Sequence, residues 1–95
     1  MTGTARSSEG LEPRRRKLLF RSWHRGIREM DLILGAFADA EIETMSDADM
    51  DSLELLLESQ DADILSWITG EQEIPAAEDT PLLRKIIASC GVAAN

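Results

Sequence analysis

The chain has 95 residues, a formal net charge of −8, 43% hydrophobic and 29% charged residues, and only 4% aromatics with no tyrosine. That length supports one domain with a mostly aliphatic core, and leaves no room for separate catalytic and substrate domains. One cysteine (Cys90) and one histidine (His24) exclude an internal disulfide and the usual zinc constellations, and no apolar run is long enough to span a membrane.

The charge is strongly polarised. Residues 1–28 carry eight of the ten basic residues against two acids, a local charge of +6. Residues 29–95 carry two basic residues against sixteen acids, a local charge of −14. The acidic part would repel nucleic acid and anionic membranes, so only the basic end could meet either.

Residues 1–12 are small and polar with no periodic apolar face, which predicts a disordered tail. They lack the apolar stretch of a secretory signal and are too short and too weakly basic for an organelle transit peptide. From Pro13 onward the pattern is helical throughout, and residues 13–91 are expected to form a single domain. A first helix runs from Pro13, a residue suited to a first helical turn, to about His24. It places Leu19, Phe20 and Trp23 on one stripe and stops at Gly26, which can adopt the left-handed conformation that closes a helix. A second helix, about 27–43, buries Met30, Ile33, Leu34, Phe37, Ala38 and Ile42. Ser46 with Asp49 is an acidic variant of a capping box, opening a third helix whose stripe is Met50, Leu53, Leu56 and Leu57. After a break near Gln60–Asp61, a short fourth helix carries Ile64, Leu65 and Ile68 and ends at Gly70. A polar linker leads to Thr80-Pro81, a cap and first-turn proline. The last helix carries Leu82, Leu83, Ile86 and Ile87 and ends before Gly91. The expected fold is all-α, a small antiparallel bundle of five short helices.

Few residues offer chemistry. Asp47, Asp49, Asp51 and Glu58 fall at four positions of a calcium-loop template, but Ser52 stands where the sharp turn needs glycine. The neighbouring LELLLE favours helix, so these acids suit a helix N-terminus instead. The run Arg14–Lys17 could meet phosphates, yet four consecutive helical residues point in four directions and few aromatics could stack bases. His24 has no partner in sequence that would make it a catalyst, and nothing near Cys90 would activate its thiol. Trp23 and Trp67 suit a core or an interface equally.

The segment Arg25-Gly26-Ile27-Arg28-Glu29-Met30-Asp31 stands apart. Arg25 and Glu29 are four apart, and Arg28 and Asp31 three apart, so an ordinary capped turn with weak local ion pairs explains them. The functional alternative is that Gly26 lets another protein's backbone approach closely, with guanidinium groups beside it ready for bidentate bonds.

The block LLFRSWHRGIREMDLILGAF resembles the signature of the succinate dehydrogenase assembly factor 2 family, which includes the bacterial SdhE-type FAD assembly factors. That family carries an arginine–glycine–x–x–glutamate motif between its first two helices, matched by Arg25, Gly26 and Glu29. Leu18, Leu19 and Phe20 upstream, Asp31 downstream, the serine-capped helix and the later SWITG with Trp67 agree with it. The resemblance covers residues 14–90. It implies a bundle that binds the flavoprotein subunit of succinate dehydrogenase or fumarate reductase and promotes covalent attachment of FAD to a histidine of that subunit. Attachment in that family is largely autocatalytic, so the chain would hold its partner in a competent conformation rather than supply a nucleophile. It would be no enzyme, would hold no tightly bound cofactor or metal, and would act on FAD carried by the partner. The implied contact residues are Arg25, Gly26 and Glu29, with Arg28, Asp31 and His24 at the rim. A cytoplasmic monomer that binds no nucleic acid and does not insert into the membrane completes the expectation. An antitoxin-like regulatory protein using the same surface on a small membrane partner is the alternative.

Overall fold

A computed structural model of the protein describes residues 10–90. It contains helices α1 (Pro13–Trp23), α2 (Arg28–Glu41), α3 (Asp47–Leu57), α4 (Asp61–Thr69) and α5 (Pro81–Cys90), and no strand among the described residues. The all-α, five-helix expectation therefore holds. Of the segment expected as a tail, residues 1–9 lie outside the described residues, as does Gly91. Leu11, placed in that tail by its polar neighbours, is buried against the core, so packing begins before the first helix.

Local chemistry sets most helix ends. Pro13 occupies the first turn of α1, where its missing N–H leaves no bond unmade. The Ser46 hydroxyl accepts the Asp49 N–H at 3.1 Å, capping α3. The reciprocal half of that box is absent: the Asp49 carboxylate lies 3.8 Å from Lys85 on α5. Gly70 closes α4 with φ +82°, and the Thr80 hydroxyl caps α5 through the Leu83 N–H at 3.1 Å. Helix α3 begins at Asp47, so Asp47, Asp49 and Asp51 lie in its first turns and form no ion-binding loop. The linker before α5 includes a single 3-10 turn over Ala76–Glu78.

The expected stripes of α3 and α5 are buried in full. On α4, Ile64 and Ile68 are buried together with Trp67, while Leu65 is only half-buried. Ile33 is likewise half-buried on α2. Helix α1 departs from the expectation: Leu18, Leu19, Ser22 and Trp23 face inward, and Phe20 points out at 62% exposure. Ser22 enters the core because its hydroxyl donates to the Leu18 carbonyl at 2.8 Å, leaving no polar atom unpaired. Both tryptophans belong to the core. Trp23 lies flat against α2 at Gly35, where a Cβ would come within 3.0 Å of three indole atoms. Its Nε1–H donates to the Asp39 carboxylate at 3.2 Å.

Two of the four residues of the basic run, Arg14 and Arg15, are bonded within the molecule, as is Arg21 further along α1. Arg14 forms a two-pronged bond to Glu54, both contacts 2.9 Å, and a further bond to Asp51; Arg21 meets Glu58 at 2.9 Å. Arg15 donates to the Ile42 carbonyl at 2.6 Å, satisfying the end of α2. These pairs clip the basic α1 onto the acidic α3. They hold the Glu54 carboxyl below the usual carboxylate range through its bond to Arg14, and they raise the Arg14 guanidinium further above neutrality.

Candidate functional site

The chain between α1 and α2 crosses in four residues, 24–27. His24 leaves the helical conformation, and its N–H reaches the Arg21 carbonyl at 3.4 Å. Gly26 has φ +95°, a region that side chains rarely enter, and nothing lies within 4 Å of the position a Cβ would take. Ile27 is extended, and its carbonyl accepts the Asp31 N–H at 2.9 Å, starting α2. Glu29 and Asp31 occupy the first turn of that helix, where its dipole favours negative charge. The crossing is thus a glycine hinge pinned between two helix ends, open to solvent at its apex.

The residues singled out in sequence separate into two groups. Gly26, Arg28, Glu29 and His24 are exposed. Arg25 and Asp31 face inward. The Arg25 N–H donates to the Asp31 carboxylate at 2.6 Å, and the Arg25 guanidinium donates to Asp61 Oδ1 and to the Leu57 and Ser59 carbonyls, each at 2.7 Å. The pairs suggested by spacing, Arg25 with Glu29 and Arg28 with Asp31, do not form among the described residues: the Arg25 guanidinium is taken up by Asp61, and the Asp31 carboxylate accepts the Arg25 N–H. Arg25 therefore braces the loop instead of offering a fork to solvent.

Two further residues belong to this surface. Phe20 stacks on the His24 ring, with centroids 3.9 Å apart and planes 15° apart, while His24 Nδ1 lies 2.7 Å from the Phe20 carbonyl. Ile27 stands at the apex with 44% exposure. Phe20, Ile27 and the open Gly26 make an apolar strip bordered by Arg28 and Glu29, a composition typical of protein contact surfaces. The sequence signal for Phe20 was its position: it shares a helical face with His24 one turn on, and not with Leu19 and Trp23.

A shallow groove of about 420 Å³ lies between α2 and the end of α5, lined by Leu32, Ile33, Ala36, Phe37, Ala40 and Cys90. Burial pushes the Cys90 thiol up, the direction opposite to an activated nucleophile. Among the described residues no group of three or more His, Cys, Asp or Glu is placed to hold a metal ion, and no helix is long and apolar enough to cross a membrane.

Comparison with known proteins adds to this geometry. A family described as flavinator of succinate dehydrogenase (Sdh5) matches residues 16–90. The FAD assembly factor SdhE of Acetobacter pasteurianus is 35% identical over 81 residues, covering 85% of this chain and 74% of that protein. Succinate dehydrogenase assembly factor 2, mitochondrial, of Dictyostelium discoideum is 36% identical over 80 residues, covering 84% of this chain and 57% of that protein. Its counterpart in Mycosarcoma maydis is 38% identical over 71 residues, and there the match spans 30% of the relative's length. No solved structure matches the chain significantly.

Proposed function

The chain belongs to the family of flavinators of succinate dehydrogenase, and from that membership we propose that it docks on the flavoprotein subunit of succinate dehydrogenase or fumarate reductase and promotes covalent attachment of FAD there. One observation carries the reading: the matched span, residues 16–90, encloses an exposed glycine apex flanked by apolar and charged side chains. The antitoxin-like alternative finds no support in the names of the relatives.

The surface suits a contact plate. At Gly26 a partner backbone could approach without meeting a side chain. Phe20 and Ile27 offer apolar area, Glu29 and Arg28 offer charge-assisted bonds at its edge, and His24 holds Phe20 by stacking. Arg25 and Asp31 act from beneath. In this reading the chain holds no cofactor tightly and acts on FAD carried by the partner. Holding the reacting groups of another subunit in an attack geometry, with water excluded, accelerates a reaction without contributing a group to it. The proposed working form is a cytoplasmic monomer.

The test is the covalent flavin content of the client subunit, read as fluorescence of the denatured polypeptide after expression with and without this chain. The chain should raise it. Gly26→Leu should abolish the increase while helicity by circular dichroism persists, and Glu29→Ala should reduce it more than Asp47→Ala at the start of α3. Full flavin fluorescence with a folded Gly26→Leu variant would overturn the assignment of the surface.

A further inference from the structure

Asp61 begins α4, 36 residues from Arg25, and nothing in its sequence neighbourhood connects it with the contact loop. The structure brings the two together in a half-sealed setting: their side chains are 12% and 17% exposed. The Arg25 guanidinium points its Nε, Nη1 and Nη2 donors at three acceptors carried by one short turn, Asp61 Oδ1 and the Leu57 and Ser59 carbonyls. A planar fork of fixed donors can serve three acceptors so arranged; a lysine ammonium presents one point of charge and cannot match the spread. The same residue is tied at its main chain, where its N–H reaches Asp31 at the start of α2. Residue 25 is therefore fixed at both ends, its backbone to α2 and its side chain to the α3–α4 turn.

Its neighbour is the one place in this loop where the backbone has the most freedom. Glycine samples positive and negative φ about equally, and at Gly26 no side chain packs to select between them. The bonds of Arg25 fix the residue directly before Gly26, and the φ of Gly26 in turn sets where Ile27, Arg28 and Glu29 point. We propose that Asp61 is a positioning residue for the docking surface, acting through Arg25, and that Arg25 serves docking by holding the loop rather than by touching the client. This rests on the docking reading above. A client that bonded to the Arg25 guanidinium directly would have to displace three internal bonds from a mostly buried pair, and removing one member of such a pair leaves the other charge unpaired.

The consequence is quantitative. If the loop without its brace holds the competent form about a tenth of the time, the apparent Kd rises about tenfold, with no contact to the client removed. The experiment is titration calorimetry of the purified flavoprotein subunit against the full chain carrying Arg25→Ala, Asp61→Ala, both together, or Asp61→Asn, which keeps volume and one acceptor. Hydrogen exchange on each free variant accompanies it. Arg25→Ala and Asp61→Ala should each weaken binding by about tenfold, and the double variant should be no weaker than the worse single. Asp61→Asn should fall between Asp61→Ala and the parent, and should still report if Asp61→Ala fails to fold. Exchange should quicken at the amides of residues 25–29 and stay unchanged in α5, which a general loss of stability would not produce. Flavin incorporation should return to the parental level when the variants are supplied at saturating concentration. Parental affinity in the Asp61 variants alongside a loss in Arg25→Ala would overturn the proposal and make Arg25 a direct contact, as would additive effects in the double variant. If the parent chain itself does not bind the subunit, the docking reading fails, and the exchange data on the free protein still decide whether the brace orders the loop.

Discussion

Gly35→Ala sets two physical effects against each other. Alanine inside a helix is favoured over glycine by about 0.8–1 kcal/mol, so propensity alone says the variant is more stable. Packing says the opposite, because the new Cβ would lie within 3.0 Å of three atoms of the Trp23 indole. Carbon atoms in good contact sit about 3.5–4.0 Å apart, so the ring must retreat by roughly an ångström or more against a filled core. Overpacking of this kind costs about 1–3 kcal/mol. The retreat also strains the bond from the indole to Asp39, worth about 0.5–1.5 kcal/mol. Packing wins, and the net loss is about 2 kcal/mol once the gain in propensity is subtracted. For a domain of this size that lowers Tm by roughly 8–16 °C. Thermal melting followed by circular dichroism measures it. In a Trp23→Leu background the sign should reverse, since the obstructing ring is gone and propensity is left to act. A Gly35→Ala variant that melts at or above the parent would refute the account of how α1 sits on α2.

Phe20→Ala should leave Tm nearly unchanged, within about 0.5 kcal/mol of stability, yet weaken client binding roughly fivefold or more in a titration; a large drop in Tm would place Phe20 in the core instead. The Glu54 and Asp79 carboxyls are held below their ordinary values by hydrogen bonds from Arg14 and Arg84. Their folded values lie below the unfolded ones, so their contribution is complete at neutral pH and is lost as pH falls from about 4.5 downward. Melting curves over that range should flatten in Glu54→Gln, and an unchanged pH dependence in that variant would contradict the pairing with Arg14. Burial holds the Cys90 thiol above its ordinary value of 9.0, so alkylation at neutral pH should be slower than for a short cysteine peptide. Equal rates would mean that the thiol is not shielded by α5.

Helix positions were legible where the signal is local. Pro13, Ser46, Gly70 and Thr80 each act on a backbone group within three residues, so their spacing alone located the ends of α1, α3, α4 and α5. Apolar periodicity located the buried faces of α3 and α5 for the same reason. The face of α1 was misjudged because Phe20 is as apolar as any core residue, while the inward Ser22 hides its polarity in a bond to its own helix. The contact loop was legible as a cluster but not as an arrangement. Spacing suggested that Arg25 pairs with Glu29, a contact worth a few tenths of a kcal/mol on an exposed helix. Three acceptors on the turn at residues 57–61 outcompete it, and a bond across 36 residues leaves no periodicity to find. The acids of α3 had a second role hidden for the same reason: Asp51 and Glu54 are the counterparts of Arg14, which opens the run that looked like a phosphate-binding stretch, and Glu58 is the counterpart of Arg21 beyond it.

The brace under the loop also bears on imitation. A synthetic peptide copying residues 18–37 would reproduce, in one uninterrupted stretch, every side chain offered to the client. It would lack the Leu57 and Ser59 carbonyls and the Asp61 carboxylate, so its glycine would wander and its arginine would turn to water. What looks in the primary structure like a linear epitope is a conformational one, and a useful mimic would have to replace the missing half of the molecule with a staple between the two helices.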